Sequence, residues 1–148
     1  MLKKHFRPLK SDDIGFVIDG WMRSYTGDKR AVRKKECVEN HRELIKECLL
    51  NHSTIICCNP EDEDQIFGFM NYFELNDLFV LNYIYTKETF KRMNVATELF
   101  KQVGIEDKNI LFSTHLTESF KLFTETKRLG FLYNPHFIFK NILRRNNV

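Results

Sequence analysis

The chain has 148 residues, the length of a single domain that can bury a hydrophobic core without disulfides or metals. Hydrophobic residues make up 43% and charged residues 29%, a balance typical of a soluble globular protein and unlike that of a disordered chain. The net charge of +3 is too small to indicate nucleic-acid binding by itself.

The N-terminal segment and the cysteines indicate a cytoplasmic protein. Residues 1–10 contain no apolar stretch of the kind found in a signal peptide, and no apolar run reaches the ~18 residues of a membrane helix. Of the cysteines at 37, 48, 57 and 58, none forms a C-x-x-C pair, so we expect reduced thiols. Cys57 and Cys58 are adjacent and should point to opposite faces of a strand.

The first part of the chain predicts one strand followed by two helices. Residues 3–9 form the strand, and Ser11 to Asp13 are residues that commonly start a helix. Apolar residues then recur at helical spacing, at Ile14, Val17, Ile18, Trp21 and Met22. The triplet 26–28 ends this helix, a basic run at 29–35 follows, and a second helix covers 37–50.

The remainder alternates strands and helices. Strands are predicted at 54–58, 66–74, 78–86, 109–113, 131–133 and 137–143, and helices at 94–104 and 119–129, the last ended by Gly130. Residues 1–143 should form one domain and residues 144–148 a flexible tail.

The segment after the strand 78–86 predicts an anion-binding site. Its strand leads into a basic stretch with Lys87, Lys91 and Arg92, and a helix begins near Asn94. The first turn of a helix carries unpaired N–H groups, and its dipole favours negative charge. A phosphate-bearing ligand would fit this position.

Two motifs resemble those of GNAT-fold N-acyltransferases. The hexad Lys91-Arg-Met-Asn-Val-Ala96 resembles the acyl-CoA-binding motif Gln/Arg-x-x-Gly-x-Gly/Ala of that family. Asn94 stands where Gly is usual and, among residues other than Gly, tolerates positive φ best. The segment Ser119 to Phe131 resembles a second GNAT segment, but Ser119 and Thr126 replace the usual Asn and Tyr. In the family, that Tyr protonates the departing CoA thiolate.

The resemblance implies the α/β (α+β) GNAT fold, with a mixed sheet of six to seven strands and about four helices. A splay between strands 78–86 and 109–113 would admit the pantetheine arm. The chain is also similar to small GNAT-like proteins of tailed phages. The resemblance to GNAT-fold N-acyltransferases implies acetyl-CoA or another acyl-CoA as the acyl donor. The candidate donor-binding residues are Ile84, Tyr85, Thr86, Lys91, Arg92, Met93, Asn94, Val95, Ala96, Thr97, Ser119 and Thr126.

Four residues are candidates for proton transfer. Tyr83 and Tyr85 share one face of their strand, with Asn82 on the other, and Glu74 ends the preceding strand. His115 follows the strand 109–113, on the side where the acyl group would emerge. Each also has an ordinary structural interpretation, and Ser119 could be a plain helix N-cap.

Trp21, Arg23 and Tyr25 are candidates for acceptor binding, because an Arg flanked by aromatics can hold an anion or stack on a base. The alternative is that Trp21 anchors its helix to the sheet.

Three functions remain open at this point. The first is an acyl-CoA-dependent N-acyltransferase that uses an amine acceptor of unknown size. The second is a GNAT-fold protein that modifies or binds DNA through the basic run. The third is a catalytically degenerate scaffold for a protein partner. We expect a monomer or a homodimer that does not contact a membrane.

Overall fold

The computed structural model describes residues 1–26 and 35–136. The predictions for residues 27–34 of the loop and basic run, for the strand 137–143, for the domain end at 143 and for the tail 144–148 lie outside this part. The strands are β1 His5–Pro8, β2 Ser53–Asn59, β3 Asp62–Leu75, β4 Leu78–Thr86, β5 Ile110–Ser113 and β6 Phe131–Tyr133, and the α-helices are α1 Ile14–Thr26, α2 Lys35–Asn51, α3 Val95–Gln102 and α4 Glu118–Lys127.

The described strands form one mixed sheet in the order β1-β2-β3-β4-β5-β6. Neighbours from β1 to β4 are antiparallel, whereas β4–β5 and β5–β6 are parallel. Parallel neighbours need a crossover, and α3 and α4 supply the two crossovers. In the part of the chain that the structure describes, a mixed sheet of six strands and four α-helices packed on it confirm the predicted fold class. Among the described residues, no helix combines the length and the apolar character needed to cross a membrane.

Each face of the sheet has its own hydrophobic core. One core packs α1 and α2 against the sheet and contains Trp21, Ile45 and Cys58. The other packs α3 and α4 and contains Cys57 and Leu99. The adjacent cysteines therefore lie on opposite faces, as predicted from strand geometry.

The predicted apolar face of α1 is buried except at its first residue. Val17, Ile18, Trp21 and Met22 are buried, but Ile14 retains 39% of its exposure because it occupies the first turn of the helix.

A β-bulge in β4 interrupts the alternation of side chains that was predicted for this strand. Asn71 pairs with Tyr83 and Tyr72 pairs with Leu81, so Asn82 has no partner in β3. A bulge places one additional residue in a strand and interrupts the alternation. The side chain of Asn82 consequently lies on the α1/α2 face together with Tyr83, and the prediction that they occupy opposite faces was wrong.

Asn82 belongs to a buried network of hydrogen bonds. Its amide nitrogen lies 2.8 Å from both Nδ1 of His52 and Oδ1 of Asn71, to which it donates. Its amide oxygen accepts from Oγ1 of Thr114 at 3.0 Å. Asn71 in turn donates to Oγ1 of Thr54 at 3.0 Å. The network ties β2, β3 and β4 to the segment after β5.

The ends of α4 differ from the predicted ones. The N-cap is Thr117, whose hydroxyl accepts from the N–H of Phe120 at 3.1 Å, so the expectation of an N-cap at Ser119 was wrong. At the other end Arg128 has the left-handed conformation (φ 56°), a role predicted for Gly130. The N–H of Leu129 closes this end on the carbonyl of Thr124 at 3.0 Å.

Gly68 allows the N-terminus of α3 to approach the sheet closely. A Cβ at this position would lie 2.4 Å from the carbonyl oxygen of Tyr85 and 2.9 Å from Cγ1 of Val95. We predict that Gly68→Ala lowers the free energy of unfolding by ~1–3 kcal/mol, because backbone must move to accept the methyl group.

Urea unfolding measures this effect, and Gly15→Ala is the matched control. Gly15 lies in the first turn of α1, where an added Cβ meets nothing within 4 Å. Alanine there should leave stability unchanged or raise it by up to ~1 kcal/mol. Equal effects of the two substitutions would contradict the close approach at Gly68.

Candidate functional site

β4 and β5 separate at the middle of the sheet. They are paired from Leu78 opposite Ile110 to Leu81 opposite Ser113, and the N–H of Thr114 then donates to the carbonyl of Leu81 at 2.9 Å. β4 continues to Thr86, beyond the end of β5. This is the predicted splay, and it opens a gap beside the last five residues of β4.

The loop after β4 turns twice through left-handed backbone. Phe90 packs on Phe67 with ring centroids 4.3 Å apart and holds the start of the loop on the sheet. Arg92 and Asn94 then have φ angles of 66° and 64°. Asn94 thus adopts the positive φ for which Asn is the best substitute for Gly. No sequence signal indicated that Arg92 would do the same.

Asn94 is the N-cap of α3, and the helix presents free N–H groups to this loop. The first bond within the helix runs from the N–H of Glu98 to the carbonyl of Asn94 at 2.9 Å. The N–H groups of residues 95–97 precede that bond and have no acceptor within the helix. Lys91 and Arg92 are exposed beside them, and Nζ of Lys91 lies 2.9 Å from a carboxylate oxygen of Glu88. The arrangement suits an anion.

A cavity of about 510 Å³ lies between this helix start and α4. Ten of the twelve predicted donor-binding residues line it: Ile84, Thr86, Lys91, Arg92, Asn94, Val95, Ala96, Thr97, Ser119 and Thr126. Five further lining residues were not predicted: Thr117, Phe120, Leu122, Phe123 and Lys127. Helical spacing between Ser119 and Thr126 could have indicated Leu122 and Phe123, because they share that helix face.

The side chains of Tyr85 and Met93 are not in the lining of this cavity. Tyr85 stacks on Phe69 on the α1 side of the sheet, with ring centroids 5.3 Å apart. Met93 is 43% exposed and borders a second, neighbouring cavity. Thr126 does line the main cavity, but its hydroxyl donates to the carbonyl of Leu122 at 2.8 Å.

On the other face of the sheet, aromatic rings surround His115. The His115 ring lies 4.3 Å from that of Tyr25 and 5.7 Å from that of Tyr83, measured between centroids. Tyr25 also stacks on His41 at 4.0 Å, and Tyr83 stacks on Trp21 at 5.2 Å. Two residues predicted for catalysis, His115 and Tyr83, therefore meet two predicted for acceptor binding, Trp21 and Tyr25. We call these four residues the His115 cluster.

Burial sets the protonation states in the His115 cluster. Burial and then the neighbouring His41 lower the pKa of His115 to about 4, so its ring is neutral near pH 7. Burial raises the pKa of Tyr25 to about 12 and raises that of Tyr83 far above its usual value. The two phenols stay protonated, so among Trp21, Tyr25, Tyr83 and His115 the imidazole of His115 is the group that can accept a proton.

Other candidates lie apart from both regions. Glu74 pairs with Nζ of Lys108 at 3.2 Å and stands opposite Phe79, seven residues of strand or roughly 23 Å from Thr86. Arg23 is exposed on α1, whereas Trp21 is fully buried and cannot stack on a base. The thiols of Cys48, Cys57 and Cys58 are buried with raised pKa values, so they are poor nucleophiles.

Comparison of the sequence with protein-family models and with curated proteins finds no match. The structure, in contrast, is similar to solved acetyltransferases. A GNAT-family acetyltransferase from Staphylococcus aureus Mu50 has a TM-score of 0.52 at 10% identity, with 72% of this chain and 67% of that chain covered. A predicted acetyltransferase from Clostridium acetobutylicum, with acetyl-CoA, reaches 0.59 at 10% identity, covering 86% and 90%. AAC(6')-Iy, in complex with the bisubstrate analogue CoA-S-monomethyl-acetylneamine, reaches 0.55 at 14% identity, covering 88% and 91%.

These likenesses establish the fold. The chain has the fold of GNAT acetyltransferases, which confirms the fold that the resemblance at residues 91–96 and 119–131 implied. Identities of 10–14% do not extend to substrate or activity, because one fold hosts many functions.

The low pKa of His115 predicts an acid-sensitive fold. Its ordinary value is 6.5 and its folded value about 4, so the unfolded chain takes up the proton first as the pH falls. Stability should therefore decrease from about pH 6.5 to about pH 4, by ~3 kcal/mol for this one group.

Urea unfolding across this pH range measures the dependence, with His115→Phe as the comparison. Phe retains a ring between Tyr25 and Tyr83 but cannot be protonated. The free energy of unfolding should therefore depend less steeply on pH in the variant, because one fewer proton is taken up on unfolding. Identical slopes for the two proteins would show that His115 is not held neutral by the fold.

Proposed function

We propose that this protein is an acyl-CoA-dependent N-acyltransferase that moves an acyl group, most simply acetyl, directly to an amine. The observation that carries the proposal is the cavity at the splay of a GNAT-fold sheet. Its wall contains the start of α3, left-handed backbone at Asn94 and the cations of Lys91 and Arg92.

The residues present fit a CoA ester. The N–H groups of residues 95–97 would hold the pyrophosphate, and Lys91 and Arg92 would neutralise its charge. Ile84 and Thr86, at the open edge of β4, would flank the pantetheine arm in the gap beside β5. When bound, acyl-CoA supplies the acyl group as a reactive thioester.

The protein must then manage protons. In direct transfer a C–N bond forms as the C–S bond breaks, the acceptor nitrogen loses a proton, and sulfur leaves with the electron pair. His115 is neutral and lies past the end of β5, beside the gap, so we assign it the role of the base that accepts the proton from the acceptor nitrogen. A base with a pKa of about 4 is suited to accept the proton of the acidic N–H that forms after attack on the thioester. It is less suited to deprotonate a free ammonium ion.

The group that assists the departing CoA sulfur must differ from the tyrosine that is usual in the GNAT family, because Thr126 stands at that position. The Thr126 hydroxyl is bonded to Leu122, and an aliphatic hydroxyl is too weak an acid for this role. Ser119 and Thr117 line the same cavity and can donate hydrogen bonds toward the sulfur.

The acceptor side is the α1/α2 face near the His115 cluster. Tyr25 contributes a ring to that cluster and Arg23 is exposed on the same helix, so both are suitable for acceptor recognition. Trp21 supports the site from within the core, because it is fully buried behind Tyr83. Its burial removes one of the supports for DNA recognition.

The test is calorimetric titration of acetyl-CoA and of CoA into the purified protein. We expect saturable binding that Lys91→Glu weakens by at least about tenfold, because a charge-assisted contact to phosphate becomes a repulsion. Asn94→Asp should weaken binding as well, since it keeps positive φ accessible but adds negative charge, whereas Asn94→Gly should bind like the wild type.

Lys46→Glu is the matched control for Lys91→Glu. Lys46 is an exposed lysine paired with Glu43 three residues earlier, as Lys91 is paired with Glu88, but it lies on α2, away from the cavity. It should leave affinity unchanged. Absence of heat with both ligands would overturn the acyltransferase proposal and favour a GNAT-shaped binding protein. Equal losses from both lysine variants would indicate long-range charge and not a phosphate contact.

A further inference from the structure

The hydroxyl of Ser24 links α1 to the ring of His115, which lies 91 positions later in the chain. Its Oγ lies 2.5 Å from the carbonyl oxygen of Trp21 and 2.9 Å from Nε2 of His115. Ser24 is half-buried, and both contacts are part-buried.

The two distances fix where the protons are. A hydroxyl has a single proton, and two oxygens 2.5 Å apart need that proton between them. The proton of Ser24 is therefore donated to the carbonyl of Trp21, and Oγ presents only lone pairs to His115. Nε2 of His115 must then carry a hydrogen and donate it to Oγ, since two lone pairs at 2.9 Å would repel.

A neutral imidazole carries one N–H, so Nδ1 of His115 is left with a free lone pair. We infer that Ser24 is a positioning residue that holds His115 as the Nε2–H tautomer and makes Nδ1 the atom that accepts the proton of the acceptor nitrogen. The proton-accepting role rests on the proposed function, whereas the tautomer does not.

The surroundings of the ring support this assignment. Tyr25 and Tyr83 flank the ring, and His41, behind Tyr25, is the other titratable neighbour. Within residues 1–26 and 35–136, no carboxylate forms an ion pair with His115, and no hydrogen-bond partner of Nδ1 is found. A serine hydroxyl thus orients the ring where other enzymes use a carboxylate.

The experiment is nitrogen NMR of protein labelled with 15N-histidine, at neutral pH and without any acyl donor or acceptor. His115→Phe assigns the signals of His115 by their disappearance. In the wild type, Nδ1 should show the chemical shift of an unprotonated ring nitrogen and Nε2 that of a protonated one. Ser24→Ala should give a mixture of both tautomers, and Ser24→Thr, which keeps the hydroxyl, should restore the wild-type pattern.

The wild-type spectrum alone can overturn the inference. An Nδ1–H tautomer or an equal mixture in the wild type would do so, as would a pure Nε2–H tautomer in a folded Ser24→Ala variant. Because the measurement needs no ligand, it stays decisive whether or not calorimetry detects acetyl-CoA. Saturable acetyl-CoA binding together with the wrong tautomer would leave the proposed function intact and remove Ser24 from it.

Discussion

The separation of β4 from β5 after Leu81 is the constraint on which the rest of the site depends. Backbone that leaves a sheet loses its partners, and buried polar groups must find others. Asn82 lies in the bulge at this point. The hydrogen bonds of its side-chain amide connect it to β3, to the segment after β5 and to His52. The gap therefore begins at a place that is fixed by side chains, and the cavity and the His115 cluster both border it.

The strand beside the gap divides the site between two faces. Ile84 lines the cavity with the positively charged loop, whereas Tyr83 packs into the His115 cluster. The electrostatics differ accordingly. Exposed cations and helix N–H groups attract an anion on one face, while burial keeps the His115 ring and its tyrosine neighbours uncharged on the other. Under the proposed function, the donor would bind through charge and the acceptor would react in a neutral, aromatic environment.

Short-range patterns explain why much of the site could be predicted. The loop around Asn94 depends on backbone conformations and N–H groups within a few residues, so its residues could be predicted from the motif. Apolar spacing likewise predicted the buried face of α1, and strand alternation predicted the opposite positions of Cys57 and Cys58. Alternation failed at Asn82, where pairing with β3 introduces the bulge.

The sequence by itself determined the fold class, the order of the elements that the structure describes and the location of the loop that precedes α3, because these follow from periodicity and from contacts between near neighbours. Only the tertiary structure decided that Ser24 meets His115. It also decided that Glu74 lies far from the gap. Those outcomes depend on strand register and helix packing, which bring together residues from distant parts of the chain and leave no local pattern in the sequence.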